Sequence, residues 1–288
     1  IPVIYILLSV LFNAVLFVIL KLFSRFNINT LQALVVNYFT AFAMGLLFSK
    51  EDFEYAEIVE KAWFTGSFLL GFLFIAVFYV TALTSQRNGI SVASVASKMS
   101  VIIPVCFGVI LYNESLGFTK IIGVILAVVA VYFSSKKEEG SIADYKNILL
   151  PVLVFFGAGA IDTSLKIMQN NYLPSEEIAM FSSHTFLMAF SVGMVLIGFN
   201  ILKNKMKITG KSILGGVVLG IPNYFSLYYL IKMLDSRVYE SSTIFTIHNV
   251  AIVIVSTLVA VLFFKEKITM RNGMGIALAL IAIFLVTN

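Results

Sequence analysis

Ten runs of apolar residues constrain this chain more than any other feature. They lie near residues 2–20, 27–49, 62–85, 89–112, 118–135, 147–168, 178–202, 212–232, 239–264 and 269–287. About twenty helical residues span a bilayer, and only a helix or a closed barrel satisfies its backbone polar groups in lipid. The run between Lys120 and Lys136 is short, and lysine stems at both ends can reach the headgroups. Charged residues make up 12% of the chain, against about 25% in soluble domains. These features exclude a soluble protein and predict an all-α membrane protein with ten transmembrane helices. The formal charge of +5 is no signal for nucleic acid, because the basic residues sit in the gaps between apolar runs. The single cysteine, Cys106, rules out an intrachain disulfide and disfavours a cysteine metal site. No metal or cofactor is expected. Residues 2–20 have the hydrophobicity of a signal peptide, yet no small-residue cleavage site follows and a matching segment opens the second half.

The chain repeats itself. "KAWFTGSFLLGFLFIAVFYVTALTSQR" (61–87) lies over "KSILGGVVLGIPNYFSLYYLIKMLDSR" (211–237) at an offset of 150, placing Gly66 on Gly216, Tyr79 on Tyr229 and Arg87 on Arg237. "NESLGFTKIIGVILAVVAVYF" (113–133) lies over "KEKITMRNGMGIALALIAIFL" (265–285) at an offset of 152, so Glu114 meets Glu266 and Gly123 meets Gly275. The repeats divide the chain into residues 1–140 and 141–288, five helices each, within one membrane unit. Five is odd, so the second copy is expected to enter the membrane upside down. Inverted repeats place a substrate site near the midplane between the copies.

With its paired five-helix halves, and in each a Glu after the fourth helix followed nine residues later by a Gly, the chain resembles the drug/metabolite transporter superfamily, of the EamA-like ten-helix type. The resemblance implies a carrier of small organic solutes working by alternating access in the cell (inner) membrane. Amino-acid exporters are among such relatives, as are, more distantly, carriers of sugar phosphates and nucleotide sugars. The four-helix multidrug relatives use a carboxylate in their first helix. This sequence has none there, so their proton–drug exchange does not carry over.

Within "SVASVASKMSVIIPV" (91–105), Lys98 is about ten residues into its helix, or ~15 Å, close to the midplane. A lysine there costs roughly 2.5–3.5 kcal/mol to insert and is too deep to snorkel. Two readings follow: it faces a wet cavity and holds an anionic group of the substrate, or it pairs with Asp162. Ser91 and Ser94 share its helix face. At offset 150, Lys98 falls on His248, itself isolated in an apolar run.

Asn13, Asn37, Asn223 and Tyr79 join the candidate lining of the site, against the alternative of bonding neighbouring helices. Tyr224 and Tyr228, one turn apart beside Pro222, form a candidate aromatic wall. His184 and Asp162 are candidate proton carriers, though Asp162 and Lys166 at i, i+4 are spaced to neutralise each other. "GVVLG" (216–220) reads as a close-packing motif, and Glu114 and Glu266 as anchors of the helix that follows each.

No HExxH, GxSxG or paired-acid motif argues for an enzyme. The expected function is transport of small metabolites, first amino acids, then sugar phosphates or other anions; a receptor or assembly partner without transport is the alternative. The partners are a small-molecule substrate and the lipid bilayer, not nucleic acid; a monomer is compatible with the sequence, which leaves the oligomeric state open. Thirteen Lys and Arg fall on one side of the membrane and six on the other, with the termini. The positive-inside rule puts the thirteen in the cytoplasm and the termini outside, whereas the resemblance implies termini inside.

Overall fold

The computed structural model describes residues 2–48, 58–104, 106–107, 117–135, 144–174, 177–203, 207–235 and 241–287. Within them lie ten helices: α1 (Pro2–Arg25), α2 (Thr30–Phe48), α3 (Phe64–Arg87), α4 (Ile90–Met99), α5 (Phe118–Ser135), α6 (Asp144–Asn171), α7 (Ile178–Leu202), α8 (Gly210–Asp235), α9 (Ser241–Phe264) and α10 (Met270–Thr287). Seven are long and apolar enough to cross a membrane, and 90–104, 121–134 and 270–285 are shorter apolar helices. The protein is an all-α membrane protein, as the apolar runs predict.

Its surface and interior reverse the pattern of a soluble bundle. Large apolar side chains point outward, with Leu47, Phe118, Leu202 and Met270 among the most exposed. The interior carries Ser9, Asn37, Thr84, Ser94, His184 and His248 beside its apolar residues. Lipid tails are as apolar as leucine, so burial of leucine cannot drive these helices together. Close packing of small residues and hydrogen bonds does.

The α2–α8 contact illustrates this. A Cβ on Gly216 would lie 2.5 Å from the Ala33 carbonyl oxygen, and one on Gly220 would lie 2.8 Å from that of Asn37. The two glycines therefore bring α8 onto the α2 backbone, the role their spacing predicts.

The main packings come in pairs that exchange one half for the other. α2 packs on α8 and α7 on α3; α1 packs on α8 and α6 on α3; α1 packs on α9 and α6 on α4. Two of the corresponding pairs, α2 with α7 and α5 with α10, run antiparallel. Gly45 near the end of α2 faces Ser183 near the start of α7, while Val35 near the start of α2 faces Gly193 further along α7. Asn272 at the start of α10 donates to the Ser134 carbonyl at the end of α5 at 2.6 Å.

Within the apolar run over 89–112, Pro104 is a residue expected to bend the fourth helix, and among the described residues α4 is interrupted. It stops at Met99, turns at Ser100–Val101 and resumes over 102–104. The cause is local. Pro104 has no N–H to give the Ser100 carbonyl, and the Ile103 N–H takes that carbonyl instead at 2.9 Å, a tighter turn than an α-helix makes. Pro151 and Pro222, in contrast, lie inside continuous helices.

Gly216→Ala is expected to lower stability by about 1–3 kcal/mol through overpacking against α2. Gly198, whose added Cβ would meet nothing within 4 Å, is the control, and Gly198→Ala is expected to leave stability unchanged or raised. Thermal unfolding in detergent, followed by loss of the gel-filtration peak, measures both.

Candidate functional site

Lys98 occupies the last turn of α4 before its break. The carbonyl end of a helix favours a cation, and an interrupted helix at membrane depth occurs where it is buried in protein or lines a cavity. Lys98 is half-buried, and Asp162 on α6 is exposed to a water-sized probe although protein atoms crowd around it. Their charges act on one another without closing to a contact ion pair. The Ser100 hydroxyl donates to the Ser97 carbonyl at 2.6 Å and reaches Asp162 Oδ2 at 3.3 Å, so the carboxylate receives the weaker arm of a shared proton. Asp162 thus lies within range of the opposing charge of Lys98 in the other half.

His248 on α9 feels the charge of Lys98 and ends a hydrogen-bonded chain through four helices. Its Nε2 lies 2.9 Å from Ser9 Oγ on α1, and Ser9 donates to the Ser226 carbonyl on α8 at 2.6 Å. A hydroxyl has one proton. Ser9 spends it on Ser226, so the imidazole Nε2 carries the hydrogen and donates to Ser9. The Ser226 hydroxyl donates to the Asn223 carbonyl at 2.9 Å, and Asn223 Nδ2 donates to Asn37 Oδ1 on α2 at 3.2 Å. Asn37 Nδ2, fully buried, has no partner.

The other candidates lie apart from this chain or at its margins. Asn13 is half-buried on α1, one turn beyond Ser9. Ser94 is buried, and its hydroxyl donates to the Ser91 carbonyl of its own helix at 3.0 Å. Tyr79 is 38% exposed on α3 and makes none of these hydrogen bonds. Tyr224 and Tyr228 stack on each other at 5.8 Å and on Phe48, and Lys232 lies 5.0 Å above the Tyr228 ring. These ring contacts join the ends of α8 and α2 rather than Lys98 or His248.

His184 is 1% exposed on α7, hydrogen-bonded to Ser67 Oγ at 2.8 Å and packed against Trp63 and Phe64. It fastens α7 to the start of α3. Beside it Glu177 accepts from Lys61 at 2.7 Å and Trp63 at 2.6 Å, joining the halves on the Lys61 side of the membrane.

Glu266 corrects another expectation. Its Oε1 accepts the Ile90 N–H at 3.0 Å and lies 3.6 Å from Lys21, so it caps α4 in the opposite half rather than the helix that follows it. Glu114 lies outside the described residues.

Reasoning from the sequence missed Ser9, Ser100 and Ser226. Ser100, two residues past Lys98 and four before Pro104, carried a usable signal. Ser9 and Ser226 looked like ordinary small residues of membrane helices.

The fold and its polar interior define a polytopic membrane protein built from two packed helical halves. Residues 1–136 match the EamA-like transporter family. An uncharacterized protein of Haemophilus influenzae is 28% identical over 282 residues, covering 96% of this chain and 94% of that one. A solved structure described only as the crystal structure of a protein superposes with a TM-score of 0.58 at 14% identity, over 96% of both chains, and shares the fold.

Two outcomes follow. Ser9→Ala removes the partner of a buried imidazole and a buried carbonyl, with an expected loss of about 1–3 kcal/mol in thermal unfolding. Hydrogen bonds from Lys61 and then Trp63 hold the Glu177 carboxyl below its ordinary value of 4.5. Its folded pKa is therefore lower than its unfolded one. The contribution is full above pH 4.5 and fades as pH falls through the folded value. The stability gap between wild type and Glu177→Gln is expected at pH 7, at about 1 kcal/mol or less for such an exposed pair, and to close towards pH 3.

Proposed function

We propose that the protein is a secondary carrier of amino acids, working as an exporter by alternating access, with Lys98 holding the substrate carboxylate. The observation that carries this reading is the pairing of Lys98 with Asp162 across the two halves. The charges are opposite, close enough to interact and not closed upon each other. An α-amino acid is a zwitterion that satisfies both, its carboxylate on the Lys98 ammonium and its ammonium on the Asp162 carboxylate. A sugar phosphate would satisfy Lys98 and repel Asp162, so it ranks second, and a cationic drug would meet repulsion from Lys98.

His248, in the helix that corresponds to α4, commits its Nε2 hydrogen to Ser9 and leaves Nδ1 as an acceptor. The halves are related, in this reading, by a two-fold axis in the membrane plane. The antiparallel course of α2 against α7 and of α5 against α10 supports that relation.

Transport into liposomes tests the reading. Lys98→Ala is expected to lose the substrate's charge-assisted contact, worth roughly 1.5–3 kcal/mol, and so about ten- to a hundredfold in affinity. Lys98→Arg keeps the charge but not the compact ammonium and retains part of the transport. Asp162→Asn is expected to weaken amino acids more than carboxylates that lack an amino group. Undiminished amino-acid transport by folded Lys98→Ala protein would refute the anion-binding role.

A further inference from the structure

We propose that two ion pairs at opposite ends of the molecule, Lys21–Glu266 and Lys61–Glu177, are reciprocal latches, one loosening as the other closes. This structure is the arrangement closed at Lys61–Glu177. The inference rests on the alternating-access part of the proposed function and not on its choice of substrate.

Each pair joins the halves, a lysine of the first to a glutamate of the second. Lys21 and Glu266 lie on the Lys- and Arg-rich side of the membrane, Lys61 and Glu177 on the other. The two are closed to different degrees. Lys61 Nζ donates to Glu177 Oε1 at 2.7 Å and Trp63 Nε1 donates to Oε2 at 2.6 Å, so both carboxylate oxygens are engaged. These are the lengths of charge-assisted hydrogen bonds. Trp63 is fully buried, edge-on to Phe181 and His184 of α7. At the other end, Lys21 Nζ stands 3.6 Å from Glu266 Oε1, beyond hydrogen-bond length. Lys21 donates instead to the Gln86 carbonyl at 3.2 Å, and Glu266 Oε1 accepts the Ile90 N–H at 3.0 Å. Both residues of this looser pair line a cavity of about 400 Å³. Val92 of α4 lines it too, about 9 Å along the helix from Lys98.

The chemistry suits ties that open and close. All four side chains are partly exposed, so water takes the place of each partner when a pair parts, and neither pair is worth much. Two small ties at opposite ends leave two arrangements close in free energy, and a ligand that binds one of them better shifts the balance. Glu266 also acts on the site directly, because it holds the first turn of α4, the helix that carries Lys98.

The test is the rate at which a hydrophilic maleimide labels single cysteines in the full chain in nanodiscs, where both ends meet the reagent. The background is Cys106→Ser. One reporter is Val92→Cys, in the cavity; the other is Ile58→Cys, fully buried in the cluster that contains Trp63. Val92→Cys is expected to react faster. Glu177→Gln is expected to raise the rate at Ile58→Cys about two- to fivefold, the worth of an exposed ion pair, and to lower it at Val92→Cys. Lys61→Gln, which leaves Trp63 its acceptor, should act in the same direction. Glu266→Gln should move both reporters the opposite way, and so should Lys21→Gln, which spares the α4 cap. Effects confined to the reporter at the altered end, or absent at both, overturn the proposal. The rates are read without substrate. Lost reciprocity with transport into liposomes intact overturns the latches alone, whereas lost reciprocity in a chain that moves no solute overturns the carrier reading with them.

Discussion

A lysine at the mid-depth of a bilayer is the constraint around which this structure is arranged. Its insertion costs roughly 2.5–3.5 kcal/mol. α4 ends just beyond Lys98, and the carbonyl end of a helix favours a cation. Asp162 arrives from α6 with the opposite charge. Pro104 belongs to the same arrangement. It stops the helix from running on and leaves Ser100 in a turn from which its hydroxyl reaches Asp162. Replacing Pro104 by a helix former would tend to draw Ser100 back into the helix and weaken that contact.

Packing and polarity divide the work of holding the halves together. On the Lys- and Arg-rich side, Glu266 reaches α4 and Asn272 reaches the end of α5. On the Lys61 side, Glu177 ties the start of α7 to the residues before α3. Between them, glycines let α8 lie against the α2 backbone. A carrier must release such contacts on one side while keeping them on the other. Short polar ties do that better than a continuous apolar interface, because in lipid the separated apolar faces lose little.

The fold was largely legible in the sequence, because hydrophobic length is a one-dimensional signal and the ten runs correspond to the ten helices. Gly66 and Gly216, and Glu114 and Glu266, punctuate the repeat in the sequence. The site was legible only where a residue broke the rule of its surroundings. Lys98 and His248 stand out because charge and imidazole are rare in apolar runs. Ser9 does not, since a serine in a membrane helix satisfies itself on its own backbone as readily as on a neighbour. The i, i+4 rule describes one helix surface, and here a neighbouring helix also brings Lys98 within range of Asp162. The Glu266 cap was misread because chain proximity pointed to α10, whereas the fold carries the carboxylate across to the other half.

The resemblance of the halves ends at the site, and that difference has a physical consequence. Lys98 and His248 hold corresponding positions, yet one is an ammonium beside a carboxylate and the other an imidazole whose Nε2 hydrogen is committed to Ser9. Protonating that imidazole would add a second positive charge within range of Lys98. The pair therefore offers one fixed cation and one neutral polar group, not two cations. A dianion held symmetrically between the halves finds no matching charge there, whereas a zwitterion lying between Lys98 and Asp162 leaves the cavity electrically neutral when occupied and when empty. Under the proposed carrier reading, such a site reorients in either condition without carrying net charge through the low-dielectric interior, which is the energetic requirement that alternating access would place on it.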